Sequence, residues 1–430
     1  MNNITLAGVP VTIESKRAIL AQIGERLDGK KQTFIVTPYS EFIYAALYRD
    51  EVKELLAQAD ISVADGIGIL LAETFLRWPF YFNNYYLKIL EAFTQLSILL
   101  VNSLFNPGLL KKKIPERISG QDLFWDLLKM ASDKNLSVFF LGGFDSTPEI
   151  VAKLALKRFP NLKVAGVSNS GPGDPESIAL IKEHSPDLLF VAYGPFVQEK
   201  FIVDHLNKLP ILLAIGLGGT FDYIAGVVPS PPKIFRRLGL EWFWRLFTQK
   251  SRGKRIWNAT FGMLRSLLRF KVFESMPFRL NAVVVVLKEG KVLVCKRKPD
   301  CSRDFGTELS EHWQFPQGGI EKKESLSLAA TREAEEETGL TDLRVIKVAE
   351  HQHAYHWRNG RRPLFGNSYH YKGQEQGIVY FQSNSPLNSV KLNKEFVDFA
   401  WVEPNKLGQR VHRDRREISN IIEKELINLV

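Results

Sequence analysis

The 430-residue chain is poor in cysteine, with only Cys295 and Cys301. Two cysteines without further partners exclude a cysteine-based zinc set and a disulfide framework. One bridge between them stays open if they sit on a strand and the loop after it; two free thiols in a reducing compartment is the plainer reading. The sequence has no internal repeat and no low-complexity segment, which excludes solenoids and long disordered arms. Its first residues, MNNITLAGVPVTIESKR, lack the basic-then-apolar pattern of a signal peptide, so export is not expected. Long charge-free apolar runs are also scarce. The clearest, 92–110, reads AFTQLSILLVNSLFNPGLL and follows the aromatics Trp78, Phe80, Tyr81, Phe82, Tyr85 and Tyr86. A run of about 20 residues just crosses a bilayer, but this one holds Thr, Gln, Ser, Asn and Pro. A surface-lying or re-entrant helical insertion therefore fits better than a spanning helix. A packed hairpin or an oligomer contact is the alternative.

What is present in excess is positive charge, +10 overall. Between Lys233 and Lys271 eleven Lys or Arg face one acid, Glu241, so this stretch alone carries a net +10. Trp242, Phe243, Trp244, Phe247, Trp257 and Phe261 are interleaved with the charge. A basic, aromatic-rich helical segment suits an anionic membrane surface; nucleic-acid binding and a solvated helix pair joining two domains remain open.

A chain this long exceeds what one hydrophobic core supports, so two domains are expected. Apolar strands at 33–37, 61–64, 137–143, 162–167, 187–194 and 211–219 alternate with helices at 39–58, 121–131, 147–158, 175–183 and 197–207. That alternation predicts an α/β domain with an open, mostly parallel sheet covered on both faces. Such sheets bind ligands at the carboxyl ends of their strands. Thr37, Asp65, Gly142, Gly143, Gly194 and Gly218 fall there. After Pro277 the pattern changes to paired strands over 281–297, an acidic helix, strands at 343–350, 376–382 and 396–404, and a final helix over 416–427. This predicts a second α/β sandwich. The expected organisation is 1–247 with an apolar insertion at 77–113, a basic amphipathic connector at 248–277, and a second domain at 278–430.

The strongest local signal is GGIEKKESLSLAATREAEEETGL, 318–340. Glu333, Glu336 and Glu337 stand at i, i+3 and i+4, on one helical face. Three converging carboxylates repel unless hard cations neutralise them, and Mg²⁺ or Mn²⁺ suits oxygen ligands and a phosphate substrate. A solvated acidic helix is the alternative for such a run alone. The full pattern of Gly318, Glu324, Arg332, Glu333, Ala334, Glu336, Glu337, Gly339 and Leu340 resembles the Nudix signature without departure. The resemblance implies metal-dependent hydrolysis of a nucleoside-diphosphate-linked substrate, with Glu333, Glu336 and Glu337 as the chief metal ligands and Glu324 in support. Trp313-Gln314-Phe315-Pro316-Gln317-Gly318-Gly319-Ile320 resembles the subgroup that cleaves dinucleoside polyphosphates or removes pyrophosphate from RNA 5′ ends. The cluster His351, His353, Tyr355, His356, Trp357, Arg358, Arg361 and Arg362 is suited to phosphate binding and base stacking, or is a solvated loop.

Residues 1 to about 250 resemble the WecG/TagA/CpsF glycosyltransferases. The resemblance runs through Thr37-Pro38, Glu41, Ala64-Asp65-Gly66-Ile67-Gly68, Pro115 to Leu123, Leu141-Gly142-Gly143, Gln198-Glu199-Lys200, Gly218 to Asp222 and Leu238 to Trp242. It implies transfer of an N-acetylmannosamine-like sugar from a UDP donor to an undecaprenyl-diphosphate-linked acceptor at the inner membrane face, with no metal required. Asp65 is then the base, and Thr37 and Gln198 bind donor or acceptor. Asp222 holds the nucleotide or caps a helix. The chain departs from the family at Tyr39, where Asn is usual, and at Ser230-Pro231-Pro232, where a basic residue is usual. Arg236, Arg237, Arg245 and Arg252 are candidates to replace that charge. The expectation is a bifunctional bacterial cell-envelope enzyme, cytoplasmic and peripherally attached to the membrane, with a homo-oligomer left open. The alternative is a hydrolase of RNA 5′ ends or dinucleotides whose N-terminal domain only binds membrane or ligand.

Overall fold

The computed structural model describes residues 2–229, 253–298, 312–356, 371–412 and 415–427, together with Pro232, Phe235 and Trp244. Ser230, Pro231, Arg236, Arg237, Arg245, Arg252, Cys301, Trp357, Arg358, Arg361 and Arg362 lie outside the described residues, as does the stretch from Leu238 to Trp242. The chain forms two compact units, one through Val272 and the other from Phe273.

The first unit begins with an antiparallel hairpin, β1 (Asn3–Leu6) and β2 (Val9–Thr12). Its sheet contains β3 (Thr33–Val36), β4 (Ile61–Ser62), β5 (Ser137–Gly142), β6 (Lys163–Ser168), β7 (Leu188–Ala192) and β8 (Leu213–Gly216) in the order β4-β3-β8-β7-β5-β6. Every pairing in it is parallel. β3, β7 and β8 are apolar nearly throughout because helices cover both faces. One face carries an aromatic knot in which Phe124 lies 5.3 Å from Phe190 and Phe140 lies 5.6 Å from Phe190, ring to ring. Each such buried ring contributes roughly 1.5–3 kcal/mol relative to exposure.

The expected helix over 39–58 is two helices, Ser40–Ala46 and Asp50–Ala57. Arg49 is extended at the break, and Asp50 and Glu51 open the second helix where its dipole favours acids. No Gly or Pro marks this break; burial of Val52 and Leu56 on a new face decides it. The apolar stretch near 92–110 is part of one helix, Tyr85–Phe105, followed by a 3-10 turn at Pro107–Lys111. Among the described residues no helix is long and apolar enough to cross a membrane. Helices Gly253–Trp257 and Met263–Glu274 follow, and residues through Val272 belong to this unit.

The second unit is built on β9 (Phe278–Lys288), β10 (Lys291–Arg297), β11 (Trp313–Gln314), β12 (Gln317–Gly319), β13 (Leu343–His356), β14 (Gly373–Ser383) and β15 (Phe396–Val402). β9 alternates between two cores. Val283 and Val285 face Ile418, Ile422 and Leu426 of the helix Arg416–Ile427, whereas Ala282, Val284 and Val286 face Ala329, Ala330 and Ala334 of the helix Leu326–Thr338. Apolar side chains on both faces make a three-layer α/β/α sandwich. Cys295 is a free, buried thiol in β10, with its pKa pushed up by burial.

Candidate active sites

Because the first sheet is wholly parallel, its carboxyl ends share one edge. Thr37 follows β3 and donates to the Gly216 carbonyl at the end of β8, 3.4 Å away. Asp65 follows β4, and its N–H donates to the Pro38 carbonyl at 3.0 Å. Gly66 then takes φ +93°, a turn that glycine enters without steric cost. Ile118 N–H donates to the Ala64 carbonyl at 3.1 Å, which brings in the start of the helix Gly120–Asp133. A Cβ on Gly120 would lie 3.2 Å from the Thr220 hydroxyl and 3.7 Å from the Asp65 carboxylate. Thr37, Asp65, Gly120 and Thr220 therefore converge at this edge.

Gln198 is buried beside them, with both ends of its amide engaged. Its Oε1 accepts from Gly218 N–H and its Nε2 donates to Glu199, both at 2.8 Å. Glu199 also accepts from Phe196 N–H at 2.5 Å. Burial raises Glu199 to about 7, and the nearby Glu41 charge adds to the shift. Phe196, between β7 and this helix, has φ +68°, a costly conformation for a bulky residue. Asp222 is buried in the first turn of the helix Thr220–Ile224, and its carbonyl accepts from Val228 N–H at 3.2 Å. Gly142 and Gly143 have φ of +85° and +100°. A Cβ on Gly142 would meet the Tyr193 ring at 2.7 Å, so close passage past that ring requires glycine.

Sequence reasoning named Tyr39 and Glu41 but missed Arg255, which joins them at this edge. Tyr39 donates to Glu41 at 2.7 Å, and Arg255 Nε reaches both Glu41 oxygens at 2.6 and 2.9 Å. Arg255 Nη2 donates to the Tyr39 hydroxyl at 2.6 Å. Burial and the Glu41 charge raise the Tyr39 pKa, so the phenol stays neutral. Arg255 is 214 residues from Glu41, and the only sequence cue was the density of basic residues around it.

In the second unit, Gly339 ends the acidic helix in a left-handed conformation, as its position in the motif requires. Arg332 binds Glu324 at 3.0 Å, Glu333 at 2.7 Å and Glu336 at 3.4 Å, and it also donates to the Gly319 carbonyl at 3.0 Å. Glu337 is buried and accepts from Gln317 N–H at 2.8 Å. Burial raises it to about 8, and raises Glu333 as well. Among the described residues, no three His, Cys, Asp or Glu side chains are gathered as a metal cluster. Arg332 instead holds two of the three carboxylates. The donor set still fits a hard divalent cation: it is oxygen-only, on one helical face, and includes a buried carboxyl whose charge a cation would favour. His353 and Tyr355 stack at 5.8 Å on β13, with Arg415 over the tyrosine.

The two units thus present two kinds of candidate site, the carboxyl edge of a parallel sheet and the acidic helix of a sandwich. Residues 4–99 and 107–276 match the sequence profile of the glycosyl transferase WecG/TagA/CpsF family, and the chain belongs to that family. Residues 277–423 match the NUDIX domain, so the chain fuses the two. Sugar transfer and phosphoanhydride hydrolysis are the reaction classes these domains support. An N-acetylglucosaminyldiphosphoundecaprenol N-acetyl-beta-D-mannosaminyltransferase of Bacillus spizizenii is 31% identical over 231 residues, covering 54% of this chain and 77% of the relative. The enzyme of the same name from Staphylococcus aureus is 28% identical over 215 residues, covering 49% and 70%. Among solved structures, a MutT protein from Methanosarcina mazei is 20% identical, covering 35% of this chain and 96% of its own, with a TM-score of 0.26. A C. elegans Ap4A hydrolase is 17% identical, covering 35% and 98%, with a TM-score of 0.25.

Proposed function

We propose that the first unit transfers an N-acetylmannosamine-like sugar from a UDP donor to an undecaprenyl-diphosphate-linked acceptor, and that the second hydrolyses a nucleoside-diphosphate-linked substrate. The observation that carries the transfer reading is the convergence of Asp65, Thr37, Thr220 and the glycine-lined strand ends on one edge. Asp65 takes the proton from the attacking acceptor hydroxyl. Thr37 and Gln198 are the proposed donor- or acceptor-binding polar residues, and Asp222, Gly142, Gly143 and Arg237 are the proposed nucleotide contacts. Arg255 joins them as a cation able to balance charge on the departing diphosphate. The work at the inner membrane face is peripheral.

In the second unit Glu333, Glu336 and Glu337 would hold Mg²⁺ or Mn²⁺. The bound ion would supply charge neutralisation at the phosphoryl group and a more acidic water. Arg332 orients Glu333, and Gln317 N–H fixes one oxygen of Glu337. The stacked His353 and Tyr355 favour a second reading, in which this unit takes a base-bearing substrate such as a dinucleoside polyphosphate or an RNA 5′ end.

The test uses the full-length protein with Mg²⁺ and separates its phosphorus products. It is offered UDP-N-acetylmannosamine with a lipid-linked acceptor, dinucleoside polyphosphates, or 5′-triphosphorylated RNA. UDP release that depends on the acceptor supports transfer; no acceptor-dependent release under any condition sinks it. Cleavage of UDP-sugar to UMP ties the hydrolase to the same pathway, and preference for RNA or dinucleotides favours the second reading.

A further inference from the structure

The helix Tyr85–Phe105 is two-sided in an unusual way. Its inner side, with Ala92, Leu96 and Leu99, is buried. Its outer side carries Tyr86, Leu90, Phe93, Ile98 and Val101, all exposed, with Leu90 at 63% and Phe93 at 61%. Residues 86, 90, 93, 97 and 101 fall on one stripe at helical spacing, apolar except for the uncharged Ser97. The helix has two charged residues, and neither belongs to that stripe. Lys88 is buried, and Glu91 accepts the N–H groups of Tyr81 at 3.0 Å and Phe82 at 3.3 Å.

This apolar side is held in place rather than frayed. Asn84 caps the helix through Tyr86 N–H, and Gln95 donates to the Pro79 carbonyl at 2.9 Å. Lys271 lies over the Phe75 ring at 4.4 Å and donates to both the Phe75 carbonyl and Gln95. The Glu91 bonds fix the backbone of Tyr81 and Phe82 and leave both rings exposed. Just past the helix, Lys111, Lys112 and Lys113 are all exposed.

An uncharged apolar stripe, exposed aromatics at one end and a lysine cluster past the other match the chemistry of an anionic lipid interface. A second copy docking here would bring the same lysine cluster, Lys111 to Lys113, whereas an anionic lipid surface offers the opposite charge. We infer that the outer side of Tyr85–Phe105 is the surface by which this protein docks on anionic bilayers. This rests on the reading that the first unit serves a lipid-linked acceptor, and it identifies the surface that brings the enzyme to that acceptor.

The experiment sediments the full-length protein with phosphatidylcholine vesicles, with and without phosphatidylglycerol. Wild type binds the anionic vesicles. Leu90→Gln with Phe93→Gln lowers partitioning about tenfold or more. Lys111→Gln, Lys112→Gln and Lys113→Gln together lower it about a hundredfold at low salt, and less at high salt. Both variants keep the wild-type melting temperature and the wild-type rate of UDP release with a short-chain, water-soluble acceptor. Unchanged vesicle binding by the Leu90/Phe93 variant overturns the inference, as does failure of wild type to bind either vesicle. Light scattering that shows this variant converting a dimer to a monomer, with vesicle binding intact, overturns it in favour of self-association. Absence of UDP release by wild type with the soluble acceptor counts against the transferase reading instead, and leaves the vesicle result to be judged separately.

Discussion

Gly318 and Glu333 are packed so closely that a Cβ on the glycine would overlap the glutamate carboxylate. The first glycine of the motif is therefore a steric requirement of the first carboxylate on the helix. Gly318→Ala is expected to push Glu333 out of its bond with Arg332 and to lower hydrolysis about a hundredfold or more, since positioning errors of this size are costly. Transfer by the first unit is unchanged. A variant hydrolysing at the wild-type rate would show that Glu333 need not sit there.

Glu336→Gln with Glu337→Gln removes two of the three proposed cation ligands. Phosphoanhydride hydrolysis should disappear while acceptor-dependent UDP release persists. Mg²⁺ binding, titrated by calorimetry in both proteins, gives a second readout and should weaken in the double variant. Full activity in the double variant would end the assignment of these residues.

Asp65→Asn keeps the shape of the sheet edge and removes the base. A loss of about 10²–10⁴-fold in UDP release is expected, with the melting temperature and hydrolase activity unaffected. A loss below about tenfold would transfer the role of base to another residue.

Arg255→Ala leaves Glu41, which is mostly buried, without its cation. Arg255 itself is 38% exposed, so solvent screening reduces the effect. The expected cost is about 1–2 kcal/mol, a fall of about 2–8 °C in the melting of the first unit. Tyr39→Phe preserves the Arg255–Glu41 pair and should cost less. Calorimetry on both variants gives the order directly; the reverse order would mean that the phenol, not the ion pair, holds this edge.

Glu199 sets a pH dependence. Its carboxyl is raised from 4.5 to about 7 in the folded chain, so folding favours its protonated form. The stabilisation it contributes is complete below about pH 4.5 and is lost as pH rises through about 7. The melting temperature of the first unit should decline across that window, and Glu199→Gln should flatten the slope. Identical slopes in the two proteins would assign the effect elsewhere.

The alternation of apolar runs with helices was enough to read a parallel sheet, because strands buried on both faces have near-continuous apolar sequence. The carboxyl edge of that sheet was equally legible, since Thr37, Asp65 and Gly218 each stand just past such a run. The acidic helix was readable from spacing alone: Glu333, Glu336 and Glu337 share a face in any α-helix. The break at Arg49 was not readable, because no Gly or Pro signals it and burial of Val52 and Leu56 decides it. Nor was Arg255, which meets Glu41 only after the chain returns to the sheet edge.

By itself, the sequence determined the two domains, the order of their elements and the short-range constellations, since these depend on periodicity and on residues a few positions apart. Tertiary structure decided which distant groups meet: Arg255 with Tyr39, Gln198 with Gly218, Glu333 with Gly318, and which side of Tyr85–Phe105 stays uncovered. Those outcomes follow from packing and desolvation across long sequence separations, where local propensity carries no information.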